Sequence, residues 1–134
     1  MKVFLKRRVW QRASGCCEYC RMPSEFYLAP YQIDHVIAEQ HGGRTSLSNL
    51  ALACFHCNLK KGPNIAGRDS VTRRTMRLFN PRKDRWDNHF RWHGAKLVGR
   101  TAIGRTTIQV LDINNPAYLA VRKALMEAGI FGRR

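Results

Sequence analysis

Acidic residues are scarce in this chain. Nine Asp and Glu face 24 Lys and Arg among 134 residues, which leaves a formal net charge of +15. A surplus of that size on so small a surface makes a polyanion the expected partner, with nucleic acid ahead of an anionic membrane. Long apolar runs are missing as well: none approaches the roughly 20 residues that a membrane span needs. No basic helix carries the clear apolar face that a membrane surface would hold. The opening residues, Met1-Lys2-Val3-Phe4-Leu5-Lys6-Arg7-Arg8, lack the apolar stretch of a secretory signal. A cytoplasmic protein without a membrane partner is therefore expected. Helix-turn-helix and RNA-recognition strings are also absent, so no target sequence is legible. The length allows one modest core, and the whole chain is expected to form one compact domain.

What is present is concentrated in the first half. Of five cysteines, four fall into two Cys-x-x-Cys pairs, Cys17/Cys20 and Cys54/Cys57, and Cys16 stands outside that spacing. In a reducing compartment such pairs favour metal over disulfide. Two close pairs can close a tetrahedral site, so a structural Zn²⁺ is expected. Four thiolates leave no corner open for water or substrate, and such a site contributes on the order of 10 kcal/mol to the folding of a small domain.

The local pattern around these cysteines is strand, loop, strand, helix. Leu5, Val9 and Ala13 recur at helical spacing over residues 4 to 14, and Gly15 stops that basic helix before the first thiol pair. Tyr31-Gln32-Ile33-Asp34-His35-Val36-Ile37 reads as a strand, His41-Gly42-Gly43-Arg44-Thr45-Ser46 as a loop, and Leu50-Ala51-Leu52-Ala53 as a second strand. A helix is expected to begin near Cys57 and to run into Lys60-Lys61-Gly62.

Between and beside the thiol pairs lie Asp34, His35, Asn49 and Asn58. Phosphodiester hydrolysis needs a nucleophilic water, a cation against the developing charge and stabilisation of the leaving oxygen. His35 is the candidate general base, because an imidazole can be neutral at working pH and accept the proton of water. Asn49 is suited to aim it, since one amide can bridge backbone groups and fix the loop that follows His35. Asp34 and Asn58 are the candidate ligands of a catalytic Mg²⁺ or Mn²⁺. One carboxylate and one amide oxygen would leave such an ion with net positive charge for a phosphate.

The ordered set Cys17-x-x-Cys20, Ile33-Asp34-His35, Gly42-Gly43, Asn49-Leu50, Cys54-x-x-Cys57-Asn58 and Lys61-Gly62 resembles the HNH endonucleases, in the branch whose ββα-metal core is braced by four zinc-binding cysteines. The resemblance covers roughly residues 9 to 62. It implies an α+β fold in which a small zinc-braced ββα-metal core, residues 1–66, carries a basic α/β C-terminal extension, residues 67–134. It further implies hydrolysis of double-stranded DNA with one divalent ion, leaving 5′-phosphate and 3′-hydroxyl ends. The family assigns Asn49 the orienting role and tolerates Asn58 as metal ligand where its name has a second His. The competing expectation is a zinc-stabilised nucleic-acid-binding module without catalysis. A toxin-like or RNA-directed nuclease is a weaker third, and metal dependence separates it from a ribonuclease that uses the 2′-hydroxyl.

Cations outside the core extend the picture. Residues 66–134 hold 15 Lys and Arg against five Asp and Glu, whereas residues 1–65 hold nine against four. Arg44, Lys60, Lys61, Arg73, Arg74 and Arg77 are expected to contact nucleic acid, and Arg68, Arg82, Lys83 and Arg85 to join the grip on phosphates. His41, His56, His89 and His93 are left out of the site, the last two because the aromatic run around them reads as packing. Ala95-Lys96-Leu97-Val98 and Thr107-Ile108-Gln109-Val110-Leu111 are expected to pair as a hairpin around Gly104, and Pro116 to Ala128 to form a closing helix. With no base-reading module, weak sequence preference or delivery by a partner protein is expected, and a homodimer that cuts both strands stays open beside a monomer that nicks one.

Overall fold

The computed structural model describes residues 1–131, and the last three residues of the expected extension lie outside the described residues. The chain forms two compact units. The first is Met1–Ile65 together with Asn80–Asp84, and the second is Ala66–Phe79 together with the residues from Arg85 onward. The chain therefore crosses out of the first unit after Ile65, returns at Asn80 and leaves again after Asp84. Among the described residues, no helix is long and apolar enough to cross a membrane.

In the first unit, helix α1 spans Val3–Ala13 and ends on Ser14 and Gly15, both in the left-handed region at φ 52 and φ 68. The amide of Gly15 reaches back to the Trp10 carbonyl and closes the helix end. The helix is anchored by Val9, which joins Leu50 and Leu52 in a fully buried cluster flanked by Ala13, Tyr31, Ile33 and Leu47. Each such buried aliphatic side chain contributes roughly 1.5–3 kcal/mol. Arg12 on the same helix ties it down, donating to the carbonyls of Leu47 and Leu50 at 2.8 and 2.6 Å.

Strands β1 (Gln32–His35) and β2 (Leu50–Ala53) pair antiparallel, with Asp34 opposite Ala51 and His35 opposite Leu50. Helix α2 follows as Phe55–Lys61, so the core is a ββα unit. It begins two residues before the position expected from sequence because Cys54 is its N-cap: the sulfur accepts from the amide of Cys57 at 3.3 Å. Gly62, at φ 50, ends it.

Among its described residues, the second unit holds two antiparallel hairpins and three helices. Strands β3 (Ala66–Arg68) and β4 (Thr75–Arg77) form the first hairpin, and β5 (Phe90–His93) and β6 (Lys96–Gly99) the second. Helices α3 (Trp86–His89), α4 (Ala102–Val110) and α5 (Pro116–Glu127) complete it. The expected hairpin around Gly104 is not formed. Residues Thr107 to Val110 lie in α4, Leu111 caps that helix, and the partner of β6 is the aromatic run Phe90–His93 across a Gly94-Ala95 turn. The β-branched residues that suggested a strand satisfy themselves inside the helix, as when the Thr107 hydroxyl donates to the Ile103 carbonyl at 2.8 Å. Thr101 caps the helix by accepting from the Gly104 amide, and a Cβ on Gly104 would sit 2.1 Å from the His89 carbonyl oxygen. Gly104 is thus a point of close packing within a helix. The closing helix α5 is capped by Asn115, with Pro116 at its first position.

Two devices hold this unit together. The fully buried guanidinium of Arg122 donates to the carbonyls of Ala95 and Ile113 and to the Asn114 side chain at 2.8 to 3.0 Å, 5.6 Å from the Trp92 ring centre. Phe79, Trp86, Phe90, Trp92 and Phe131 form a chain of ring contacts between 5.1 and 5.7 Å.

Candidate functional site

The four paired thiols converge. The sulfurs of Cys17, Cys20, Cys54 and Cys57 all lie within 4.8 Å of one another and are buried, and Cys20 and Cys54 are 3.8 Å apart. A tetrahedral zinc with sulfurs at about 2.3 Å has edges of about 3.8 Å, so the donor set and spacing fit such an ion. No disulfide competes, and Cys16 stays outside the cluster. Amides donate to two of the sulfurs, from Cys20 to Cys17 and from Cys57 to Cys54.

The residues between the first two thiols tie this cluster to the ββα unit. Glu18 pairs with β2 through its own amide, which donates to the Leu52 carbonyl, and through its carboxylate, which accepts from the Leu52 amide. The other carboxylate oxygen takes the guanidinium of Arg82 from the returning segment. Arg82 was expected at a phosphate and is instead the counter-ion of a buried Glu18. A buried carboxylate requires such a partner. Tyr19 is fully buried and its hydroxyl donates to Asp34 Oδ2 at 2.7 Å. Burial, and then the neighbouring carboxylate, push the Tyr19 phenol well above its ordinary value, which keeps it a donor.

Asp34 is 4% exposed in the middle of the unit. Besides Tyr19 it meets the ammonium of Lys61, 3.2 Å from Oδ1 and 3.1 Å from Oδ2, and the Asn58 amide at 3.5 Å from Oδ1. Burial pushes the Asp34 carboxyl up, against the opposing effect of Lys61 and the Tyr19 hydrogen bond. Asn58 and Lys61 reach it because they sit three residues apart on α2, one turn beyond the thiol helix cap. Two oxygens bound to one octahedral Mg²⁺ at about 2.1 Å sit about 3 Å apart. The Asp34 and Asn58 side chains lie close to that spacing, and an Asn amide turned over presents oxygen in place of nitrogen.

His35 follows on the same strand end. Its Nε2 lies 2.8 Å from the Thr45 hydroxyl and 3.9 Å from the Glu39 carboxylate, and its main-chain carbonyl accepts from Lys61 at 3.1 Å. Asn49 fixes the connection between them. Its Oδ1 accepts from the Ile37 amide, and its Nδ2 donates to the carbonyls of Ile37 and Arg44, each at 2.9 Å. The two glycines of this loop do different things. Gly42 adopts φ 87, whereas a Cβ on Gly43 would fall 1.7 Å from the Ile37 carbonyl oxygen and 2.8 Å from Asn49 Nδ2.

Of the cations expected at nucleic acid, Arg44, Lys60, Arg73, Arg74 and Arg77 are exposed. Arg73 and Arg74 stand at the tip of the β3–β4 hairpin, Arg73 in the left-handed region at φ 67. Lys61 differs: it is 1% exposed and engaged with Asp34, not presented to solvent beside Lys60. The sequence reading left out Tyr19, Thr45 and the inward direction of Lys61. Only Tyr19 carried a signal, its place between two thiols that must be buried. A 520 Å³ apolar cavity in the second unit, between Trp92, Ala95 and the Leu119–Met126 face of α5, contains none of these residues.

Comparison with known proteins agrees with this geometry. Residues 17–64 match the family model described as HNH endonuclease. Over 127 residues the chain is 24% identical to Septu protein PtuB of Bacillus thuringiensis, covering 93% of this chain and 47% of that protein. The chain thus spans about half the length of the curated relative it matches. No solved structure matches the chain. A ββα unit with four convergent thiols and a family match spanning both thiol pairs together identify residues 17–64 as the region of the chain that is similar to HNH endonucleases.

Proposed function

We propose that this protein is a divalent-metal-dependent endonuclease that hydrolyses phosphodiester bonds of double-stranded DNA. The observation that supports this reading most is the convergence of Asp34 and Asn58 to 3.5 Å beside a His35 whose ring and backbone are both held. A non-catalytic fold has no need to bring a carboxylate, an amide and an oriented imidazole together.

Asp34 and Asn58 would hold Mg²⁺ or Mn²⁺, which when bound supplies positive charge against the phosphate and the leaving oxygen. His35 takes the proton of the attacking water. In the tautomer whose Nε2–H donates to the Thr45 hydroxyl, Nδ1 keeps its lone pair for that task. Asn49 keeps the loop that carries Thr45 in place through its three amide bonds. Cys17, Cys20, Cys54 and Cys57 would hold a structural zinc, and the cap that Cys54 places on α2 fixes Asn58 beside β1. Arg44, Lys60, Arg73, Arg74 and Arg77 bind backbone phosphates, and a partner protein delivers the chain to its target.

A second reading has its own observation. The Asp34 carboxylate is already paired with Lys61, as it would be in a zinc-stabilised nucleic-acid-binding module without catalysis. Cleavage of supercoiled plasmid in Mg²⁺ or Mn²⁺, compared with His35→Ala and with EDTA, separates the two. Nicked or linear product from the wild type alone supports the nuclease. Intact plasmid bound by the zinc-loaded wild type across several ions supports the binding module.

A further inference from the structure

The ammonium of Lys61 is the least expected feature of the first unit. A lysine in the last turn of a helix ordinarily extends into water or over the terminal carbonyls. Lys61 instead turns inward and is 1% exposed, with Nζ within 3.2 Å of both Asp34 oxygens and of the His35 carbonyl. One cation therefore grips two consecutive residues, the side chain of one and the main chain of the next. On the far side of His35, the Val36 amide donates to the Asn49 carbonyl at 2.9 Å. The backbone at His35 is held from both directions.

The same ammonium occupies the surroundings of Asp34 Oδ1, the oxygen that the Asn58 amide approaches. A divalent ion on Asp34 and Asn58 would meet a fixed positive charge within a few ångströms, in a buried setting where like charges repel strongly. The geometry points to a double role for Lys61: it is a positioning residue that keeps Asp34 and His35 in register, and its ammonium stands in for the cation on Asp34 until an ion displaces it. This rests on the nuclease reading for the identity of the ion, and on the hydrogen bonds alone for the positioning.

Two measurements on the zinc-loaded full chain test it. In the first, the wild type carries isotope-labelled lysine, histidine and asparagine, and Mg²⁺ is added while the Lys61 side-chain signals are followed by NMR. Displacement predicts that the Lys61 signals shift, and that its ammonium protons exchange faster with water, saturating together with the Asn58 amide signals. Saturation of Asn58 with Lys61 unmoved would overturn the displacement. If neither responds to Mg²⁺ or Mn²⁺, the nuclease reading fails and displacement fails with it. The second measurement begins without added Mg²⁺ and compares Lys61→Met with the wild type. The His35 amide and ring signals of Lys61→Met move away from those of the wild type, because the His35 carbonyl has lost its donor. The same variant binds Mg²⁺ about tenfold more tightly or better while cutting at least tenfold more slowly, each tenfold being one pKa unit's worth of interaction. Superimposable His35 signals would overturn the positioning role. Tighter ion binding with slower cutting is a split that simple loosening of the fold does not produce. Should Lys61→Met fail to take up zinc, the wild-type titration and the pattern of proton exchange at Lys61 decide the matter without it.

Discussion

The Tyr19 hydroxyl donates to Asp34 Oδ2 at 2.7 Å, and Tyr19 stands between two thiols of the metal cluster. A residue of the zinc site therefore touches the carboxylate proposed to hold the catalytic ion. Hydrogen bonds to charged groups contribute roughly 1.5–3 kcal/mol. Tyr19→Phe keeps the buried ring and removes only the donor. Plasmid cleavage should fall by about tenfold or more and the thermal midpoint of the first unit by several degrees, while zinc content by mass spectrometry stays near wild type. Unchanged cleavage would show that Asp34 needs no help from this side.

Removal of the structural metal reaches further. A strong chelator, or Cys57→Ala, takes away a site worth on the order of 10 kcal/mol in a small domain. Amide hydrogen exchange should lose its protection across β1, β2 and α2, because Cys54 caps α2 and the Glu18 carboxylate pairs with β2. Retained protection in those elements after complete metal loss would contradict the expectation.

Gly43 is the tightest point of the loop. A methyl group there meets the Ile37 carbonyl at 1.7 Å, so Gly43→Ala must displace either the loop or the Asn49 amide. A cost of about 2–4 kcal/mol in a denaturant melt is expected, in the range of overpacked buried sites. Gly42→Ala meets no atom within 4 Å and pays only for its φ of 87, about 1–2 kcal/mol. Equal losses from the two substitutions would show that the close approach is not what makes position 43 a glycine.

In the second unit, Arg105 forks onto Asp69 at 2.9 and 3.0 Å and holds its carboxyl well below the ordinary carboxylate range. A carboxyl lowered by folding stabilises the folded state above its unfolded value, near pH 4, and loses that contribution as pH falls through the lower folded value. The thermal midpoint of this unit should therefore hold from neutrality to about pH 4 and drop below it. Asp69→Asn should lower the midpoint at neutral pH and flatten the acid limb. An acid limb of the same steepness in the variant would assign it to other carboxyls.

DNA affinity should fall steeply with salt, each neutralised phosphate adding about −0.9 to the slope of log K against log salt. Replacing Arg73, Arg74 and Arg77 singly with Gln should reduce the slope by about that amount wherever the guanidinium meets a phosphate. A slope untouched by all three would remove the β3–β4 hairpin from the interface.

The sequence carried the core of this molecule plainly, for a physical reason. Metal ligands must keep fixed spacings, so the pairs Cys17/Cys20 and Cys54/Cys57 bounded the ββα unit before any coordinate did. Local pattern served less well in the second unit. Thr107, Ile108 and Val110 have the composition of a strand, yet they form part of α4, where the hydroxyl of Thr107 donates to the Ile103 carbonyl and accepts from the Phe79 amide. Burial against neighbours outweighs intrinsic preference there. Lys61 illustrates a different limit. Its neighbour Lys60 is exposed, and only the direction of the last turn of α2 decides which ammonium meets Asp34. Arg82 lies 64 residues from Glu18, and no periodicity announces such a pair.

The return of Asn80–Asp84 to the first unit has a bearing on how this ββα core can be inherited or transplanted. A fragment ending at residue 66 would keep every thiol and each of Asp34, His35, Asn49 and Asn58, and would still carry a buried Glu18 stripped of its guanidinium. The indivisible piece is therefore not a contiguous stretch of chain. Any recombination that swaps the second half wholesale must bring an arginine back to the same spot, so the two halves are bound to change together even where the residues proposed for catalysis all lie in one of them.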